Sequence, residues 1–312
     1  MAVAQTEGDA VNLVPGEPLL HAKSVSIQFG GLRALTDFNL EIHKGDLKGL
    51  IGPNGAGKTT AFNVLTGVYR PTSGDVFVSG NRINGRKPHQ INRLGVARTF
   101  QNIRLFKELT AIDNVKVACL SESYSVVRRE TLDRLERGTS ALWFTNALHA
   151  LNNYVDWWRA LLLTPGFLRE EAEVTKKAEG LLETMGLLHR RDEEARNLPY
   201  GEQRRLEIAR ALATNPKVLL LDEPAAGMNT REKADLMVLI RELREKFSLG
   251  ILVIEHDMKL VMGICEHITV LDHGETIAAG GPAEVRTNPK VIEAYLGESF
   301  AAAHAAAAGS GA

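Results

Sequence analysis

The chain has 312 residues, 44% hydrophobic and 24% charged, a balance that supports a packed core and excludes disorder throughout. That length allows one large domain or two modest ones. Its 37 basic and 38 acidic side chains leave a net charge of −1, so no long-range field draws the whole molecule onto nucleic acid or an anionic bilayer.

Residues 1–18 are polar and acidic and lack a basic segment followed by an apolar one, so they read as a loose lead-in without a signal peptide. Leu19 to Phe29 then reads as a strand, followed by a second at Leu47 to Ile51 and a helix over Lys58 to Thr66. Between about Ser121 and Leu168 the texture changes. All three tryptophans fall there, and residues 144, 148, 151, 155, 158 and 162 follow a helical apolar rhythm. This stretch reads either as helical core or as an exposed aromatic ridge for a membrane subunit or lipid surface.

Further on, Val218 to Leu221, Gly250 to Ile254 and Ile268 to Leu271 read as strands, and Thr230 to Phe247 and Met258 to Cys265 as helices. The nearly continuous apolar strands and their alternation with helices predict an α/β domain around a mainly parallel sheet. Residues 298–312 are alanine-rich, end in a Gly-Ser piece, and read as a low-complexity tail. No run of 18 apolar residues occurs, so no membrane span is expected. Cys119 and Cys265 are far apart and form no Cys-x-x-Cys pair, which argues against a disulfide scaffold or cysteine zinc site and fits a reducing compartment. The histidines show no metal-ligand spacing.

Gly52-Pro53-Asn54-Gly55-Ala56-Gly57-Lys58-Thr59-Thr60 completes the pattern G-x-x-x-x-G-K-[ST] between a strand and a helix. Glycines let backbone N–H groups converge on a polyphosphate, and the helix N-terminus adds partial positive charge. Lys58 is placed for the β- and γ-phosphates, and the Thr59 hydroxyl for Mg²⁺. A second apolar strand ends in Asp222-Glu223, a carboxylate for Mg²⁺ followed by one suited to polarise water.

The order of these motifs from about Leu19 to Gly297 resembles the ATP-binding cassette ATPases of ABC transporters. The resemblance implies a P-loop NTPase cassette: a RecA-like parallel core, an antiparallel β subdomain, and an α-helical subdomain over about 102–215 with a Trp-rich insertion over about 124–163. It implies that Phe29 stacks on adenine and that Gln101 is the Q-loop glutamine sensing Mg²⁺. Pro199, Tyr200, Gly201 and Glu202 take the signature position, Asn229 the D-loop aspartate position, and His256 that of the switch histidine. Glu223, His256 and Lys58 become the catalytic set, with ATP as the nucleotide and Thr59, Gln101 and Asp222 around Mg²⁺. Pro199 and Tyr200 stand where serine and glycine are usual, leaving Gly201 N–H and the helix dipole after Glu202 to bind phosphate. Arg204 and Arg205, with Glu202 and Glu207, read as a solvated helix face or as a docking edge for a partner cassette.

The stretches Tyr200 to Leu212, Leu221 to Gly227, Ile254 to Met262 and Val291 to Gly297 resemble the LivG-type subunits of branched-chain amino acid importers, as does Arg98 to Phe106. The implied partners are a second cassette, two membrane permeases and, indirectly, an extracytoplasmic amino-acid-binding protein, at the cytoplasmic face of the membrane and without nucleic acid. Urea or amide uptake and lipopolysaccharide export remain open, as does a silent regulatory cassette. A DNA-repair or translation cassette is disfavoured, because the chain has one phosphate loop and no coiled-coil or cysteine-rich insertion.

Overall fold

Alternating apolar positions set the first sheet. In β1 (Leu20–Phe29) the side chains of Leu20, Ala22, Val25 and Ile27 turn inward while their neighbours stay more open. This strand pairs antiparallel with β2 (Leu32–Ile42) on one edge and with β4 (Ser73–Val78) on the other. A short β5 (Asn81–Arg82) completes the order β2-β1-β4-β5. The structure is a computed structural model and describes residues 16–119 and 165–295. The Trp-rich stretch 124–163, its helical rhythm at 144–162, the tail 298–312 and most of the lead-in lie outside the described residues.

The second sheet combines β3 (Leu47–Ile51), β6 (Val96–Arg98), β7 (Val218–Asp222), β8 (Gly250–Ile254), β9 (His267–Asp272) and β10 (Glu275–Gly280), in the order β10-β9-β3-β8-β7-β6. All its pairings are parallel except that of β10 with β9. Every residue of β7 and β8 is buried, as strands covered on both faces require. Ile254 sits opposite both Leu50 and Asp222, so β3, β8 and β7 end at one rim. Parallel neighbours thus bring the residues after three strands together.

Each of these strands leads into a helix: Lys58–Leu65, Thr230–Phe247 and Met258–Ile264. The bounds read from the sequence hold within a residue, with β7 running one residue further to Asp222. The chain divides into two compact units, residues 1–103 with 216–312 and residues 104–215. The first carries both sheets. The second is helical in its described part, with helices over 111–119, Pro165–Thr184 and Tyr200–Leu212. Its core includes a fully buried Asn114, whose amide donates to the carbonyls of Phe106, Leu109 and Thr110 and accepts from Phe106 N–H. That saturation offsets the cost of burying an amide. Among the described residues, no helix is long and apolar enough to cross a membrane.

Candidate nucleotide site

The phosphate loop connects β3 to the helix Lys58–Leu65. A Cβ at Gly52 would fall 2.1 Å from the Leu271 carbonyl oxygen, and one at Gly57 2.6 Å from that of Ala34. Both glycines also have positive φ, at 154° and 100°, so they are required by space and by conformation together. Gly57 opens the helix with no side-chain cap and no acid in the first turn, which keeps the helix N-terminus suited to an anion. Lys58 is 8% exposed, and its ammonium donates to the carbonyls of Gly52 (2.6 Å) and Pro53 (2.8 Å). Pro53 and Ala56 are buried, whereas Asn54, Gly55 and Thr59 are exposed and Thr60 is half-buried. Phe29, at the end of β1, is 46% exposed and meets Tyr69 edge-on with ring centroids 5.1 Å apart. It is a surface aromatic rather than a core one.

At the rim of the sheet, Asp222 is buried and accepts from Arg98 Nη2 at 2.7 Å. Its own N–H donates to Thr99 Oγ1. Glu223 follows with φ 45°, a left-handed conformation rare for a side chain with a Cβ, and its N–H donates to the Ile254 carbonyl. Gln101 Nε2 donates to Glu223 Oε2 at 2.9 Å. His256 Nδ1 lies 3.8 Å from that same oxygen, with the ring 61% exposed. The structure therefore gathers Gln101, Glu223 and His256, three residues far apart in sequence.

The oxygens offered by Thr59, Gln101 and Asp222 are hard donors of the kind Mg²⁺ takes. Gln101 bonds Glu223 through its amide nitrogen, so its carbonyl is the atom of the right type. This donor set fits Mg²⁺.

The signature segment belongs to the helical unit. Pro199 is the N-cap residue and the helix begins at Tyr200, so Gly201 lies inside its first turn and the dipole starts before Glu202, not after it. Tyr200 is exposed, and its hydroxyl accepts from Arg204 Nη2 at 3.1 Å. The expected solvated face is not there. Arg204 is fully buried and pairs at 2.9 Å with Glu207, itself 5% exposed, while only Glu202 and Arg205 are half-open. An arginine on a helix turns inward when a carboxylate three residues on meets it there. Asn229 caps the helix Thr230–Phe247 in a reciprocal pair with Glu232, a local duty asparagine performs as well as aspartate.

Three contributors escaped sequence reasoning. Arg98 binds Asp222 and Asn63, and its guanidinium lies over the Phe62 ring at 5.4 Å and the Phe100 ring at 5.2 Å. Tyr69 packs on Phe29. Glu255, quoted only as part of a motif, is 1% exposed and accepts from Ala225 N–H at 2.8 Å. Burial pushes its carboxyl above the usual range, and Glu223 adds to that, while the Ala225 N–H and His256 act the other way.

Comparison with known proteins adds identity to this geometry. The family model described as ABC transporter matches residues 35–226, and that of the branched-chain amino acid ATP-binding cassette transporters matches residues 275–301. The chain is 44% identical to the high-affinity branched-chain amino acid transport ATP-binding protein LivG of Escherichia coli K12, over 91% of this chain and 99% of that protein. It is 43% identical to BraF of Pseudomonas aeruginosa, a protein of the same description, over 90% of this chain and 99% of that one. The crystal structure of the ADP conformation of MJ1267, an ATP-binding cassette of an ABC transporter, superposes with a TM-score of 0.69 at 30% identity, covering 90% of this chain and 99% of that one. This chain belongs to the ABC transporter family as one of its ATP-binding cassettes.

Proposed function

We propose that this chain is the ATP-hydrolysing subunit of an importer of branched-chain amino acids. The observation that carries the reading is the contact of Gln101 with Glu223 at the rim where β3 gives way to the phosphate loop. Lys58 and the uncapped helix N-terminus bind the β- and γ-phosphates, and Phe29 with Tyr69 receives the adenine face. Thr59, Gln101 and Asp222 would hold Mg²⁺, which when bound neutralises charge on the β- and γ-phosphoryl oxygens. Glu223 accepts a proton from the water that attacks the γ-phosphorus as the bond to ADP breaks. Lys58 and His256 stabilise the charge that develops on the transferred group. Pro199 to Glu202 would meet nucleotide held by a second cassette.

The cargo reading rests on the names of the relatives and on the matched segment 275–301, which favour amino acids over urea, amides or lipopolysaccharide. The assembly then contains a second cassette and two permeases, served by an extracytoplasmic binding protein. This chain is peripheral on the cytoplasmic face. Affinity capture of the tagged chain from detergent-solubilised membranes, with mass spectrometry, tests the assembly. Recovery of a second cassette and two permeases supports it. Recovery of the chain alone, or of ribosomal or repair proteins, overturns it.

A further inference from the structure

Glu255 directly follows β8, one residue before His256, and nothing in the reaction outlined above uses it. A carboxylate 1% exposed is costly to bury and persists where its oxygens are engaged. One of them, Oε1, accepts from Ala225 N–H at 2.8 Å. The other, Oε2, lies 3.8 Å from His256 Nδ1. Glu223 Oε2 lies at the same 3.8 Å from that nitrogen. The δ-nitrogen of His256 is therefore flanked by two carboxylates, and the backbone two residues after Glu223 is tied to one of them.

We propose that Glu255 is a positioning residue for hydrolysis, fixing the segment after Glu223 through Ala225 and holding His256 in the tautomer with hydrogen on Nδ1. Two carboxylate oxygens within 4 Å of one ring nitrogen favour hydrogen there through their charge, which leaves Nε2 as the nitrogen for another partner. The tie through Ala225 acts on Glu223 itself. That residue has φ 45°, a conformation that persists only where its surroundings impose it. Its N–H is held by the last residue of β8, Ile254, directly before Glu255. The catalytic carboxylate and the histidine thus share one anchor. The proposal rests on the ATPase reading for its consequence in turnover, but the tautomer and the backbone tie stand apart from it.

Glu255→Gln separates the two duties. Its amide oxygen can still accept from Ala225 N–H, whereas its NH₂ group presents a donor to His256 Nδ1 and drives hydrogen to Nε2. The test is ¹⁵N NMR of the full chain labelled at histidine, at pH 8, with the His256 signals identified by their loss in His256→Ala. Beside it run the ATP dissociation constant and single-turnover hydrolysis. The wild-type ring should be the Nδ1–H form, and Glu255→Gln should shift it toward Nε2–H. Hydrolysis should fall at least about tenfold with ATP binding within about twofold of wild type, as when a histidine loses the partner that sets its tautomer. A wild-type ring in the Nε2–H form overturns the proposal, as does a folded Glu255→Gln chain with unchanged tautomer and turnover. If Glu255→Gln does not fold, the wild-type tautomer decides alone. Wild-type chain that binds ATP yet never hydrolyses it, even with its partner subunits, defeats the ATPase reading, and the NMR result still decides this one.

Discussion

Arg98 and Asp222 form an ion pair of 2.7 Å in which the side chains are only 10% and 8% exposed. The same guanidinium donates to Asn63 Oδ1 in the helix that follows the phosphate loop. One cation therefore links β6, Asp222 at the end of β7 and the helix after the phosphate loop. Removing it strands a buried carboxylate, so Arg98→Ala should lower stability by about 3–5 kcal/mol. Arg98→Lys keeps the charge but cannot fork to both partners, and should recover only part of the loss. Denaturant titration of the full chain measures this; a loss below about 1 kcal/mol for Arg98→Ala would show that the pair is not holding Asp222.

The second buried pair belongs to the helical unit. Glu207→Ala should cost about 3–5 kcal/mol by removing the carboxylate that pairs with Arg204, which is fully buried. Arg205→Ala, on the open side of the same helix, should stay within about 0.5 kcal/mol. A loss within about 0.5 kcal/mol for both substitutions, in thermal unfolding of the same preparations, would restore the solvated-face reading.

How much of this was legible beforehand varies by element. Leu47–Ile51, Gly250–Ile254 and Thr230–Phe247 were bounded correctly, because continuous apolar runs and a helix between polar turns are local signals. The phosphate loop and the strand ending in Asp222-Glu223 are readable from pattern and context, whereas His256 is pointed to by the family resemblance. Arg98 is not readable, since its partner lies 124 residues away and only the parallel pairing of β6 with β7 brings them together. Arg204 and Glu207 looked like surface residues because charge alone normally means exposure. Pairing with a buried partner is a tertiary fact. The antiparallel strand β2 was likewise missed as a segment, its inward residues being interleaved with Arg33, Asp37, Asn39 and Glu41.

Glu255 contributes one component of the pH dependence of stability. Its carboxyl is raised by burial, so the folded chain holds its proton more tightly than the unfolded one. Stability from this group is present below the unfolded value of about 4.3 and is lost as pH rises through the folded value. Glu255→Gln removes the penalty. Its melting temperature should exceed that of wild type at pH 7 and 8, and the gap should close toward pH 5. A gap of opposite sign, or one independent of pH, would contradict the assignment.

Cys265 provides a chemical check on packing. Burial, with Glu266 adding to it, pushes its thiol up to about 12, so on the order of one molecule in 10⁴ carries the thiolate at pH 8. Iodoacetamide should leave Cys265 unmodified in the folded chain and label it fully in denaturant, as read by peptide mass spectrometry. Rapid labelling of the folded chain would place this cysteine at the surface.

Uptake by intact cells tests the role of Glu223 and the cargo together. The chain is deleted from its own organism, restored as wild type or as Glu223→Gln, and the initial uptake of radiolabelled leucine is measured beside that of urea. Deletion should abolish high-affinity leucine uptake and spare urea, wild type should restore it, and Glu223→Gln should be produced and bind ATP yet restore none. Leucine uptake unaffected by deletion, or fully restored by Glu223→Gln, would contradict these assignments.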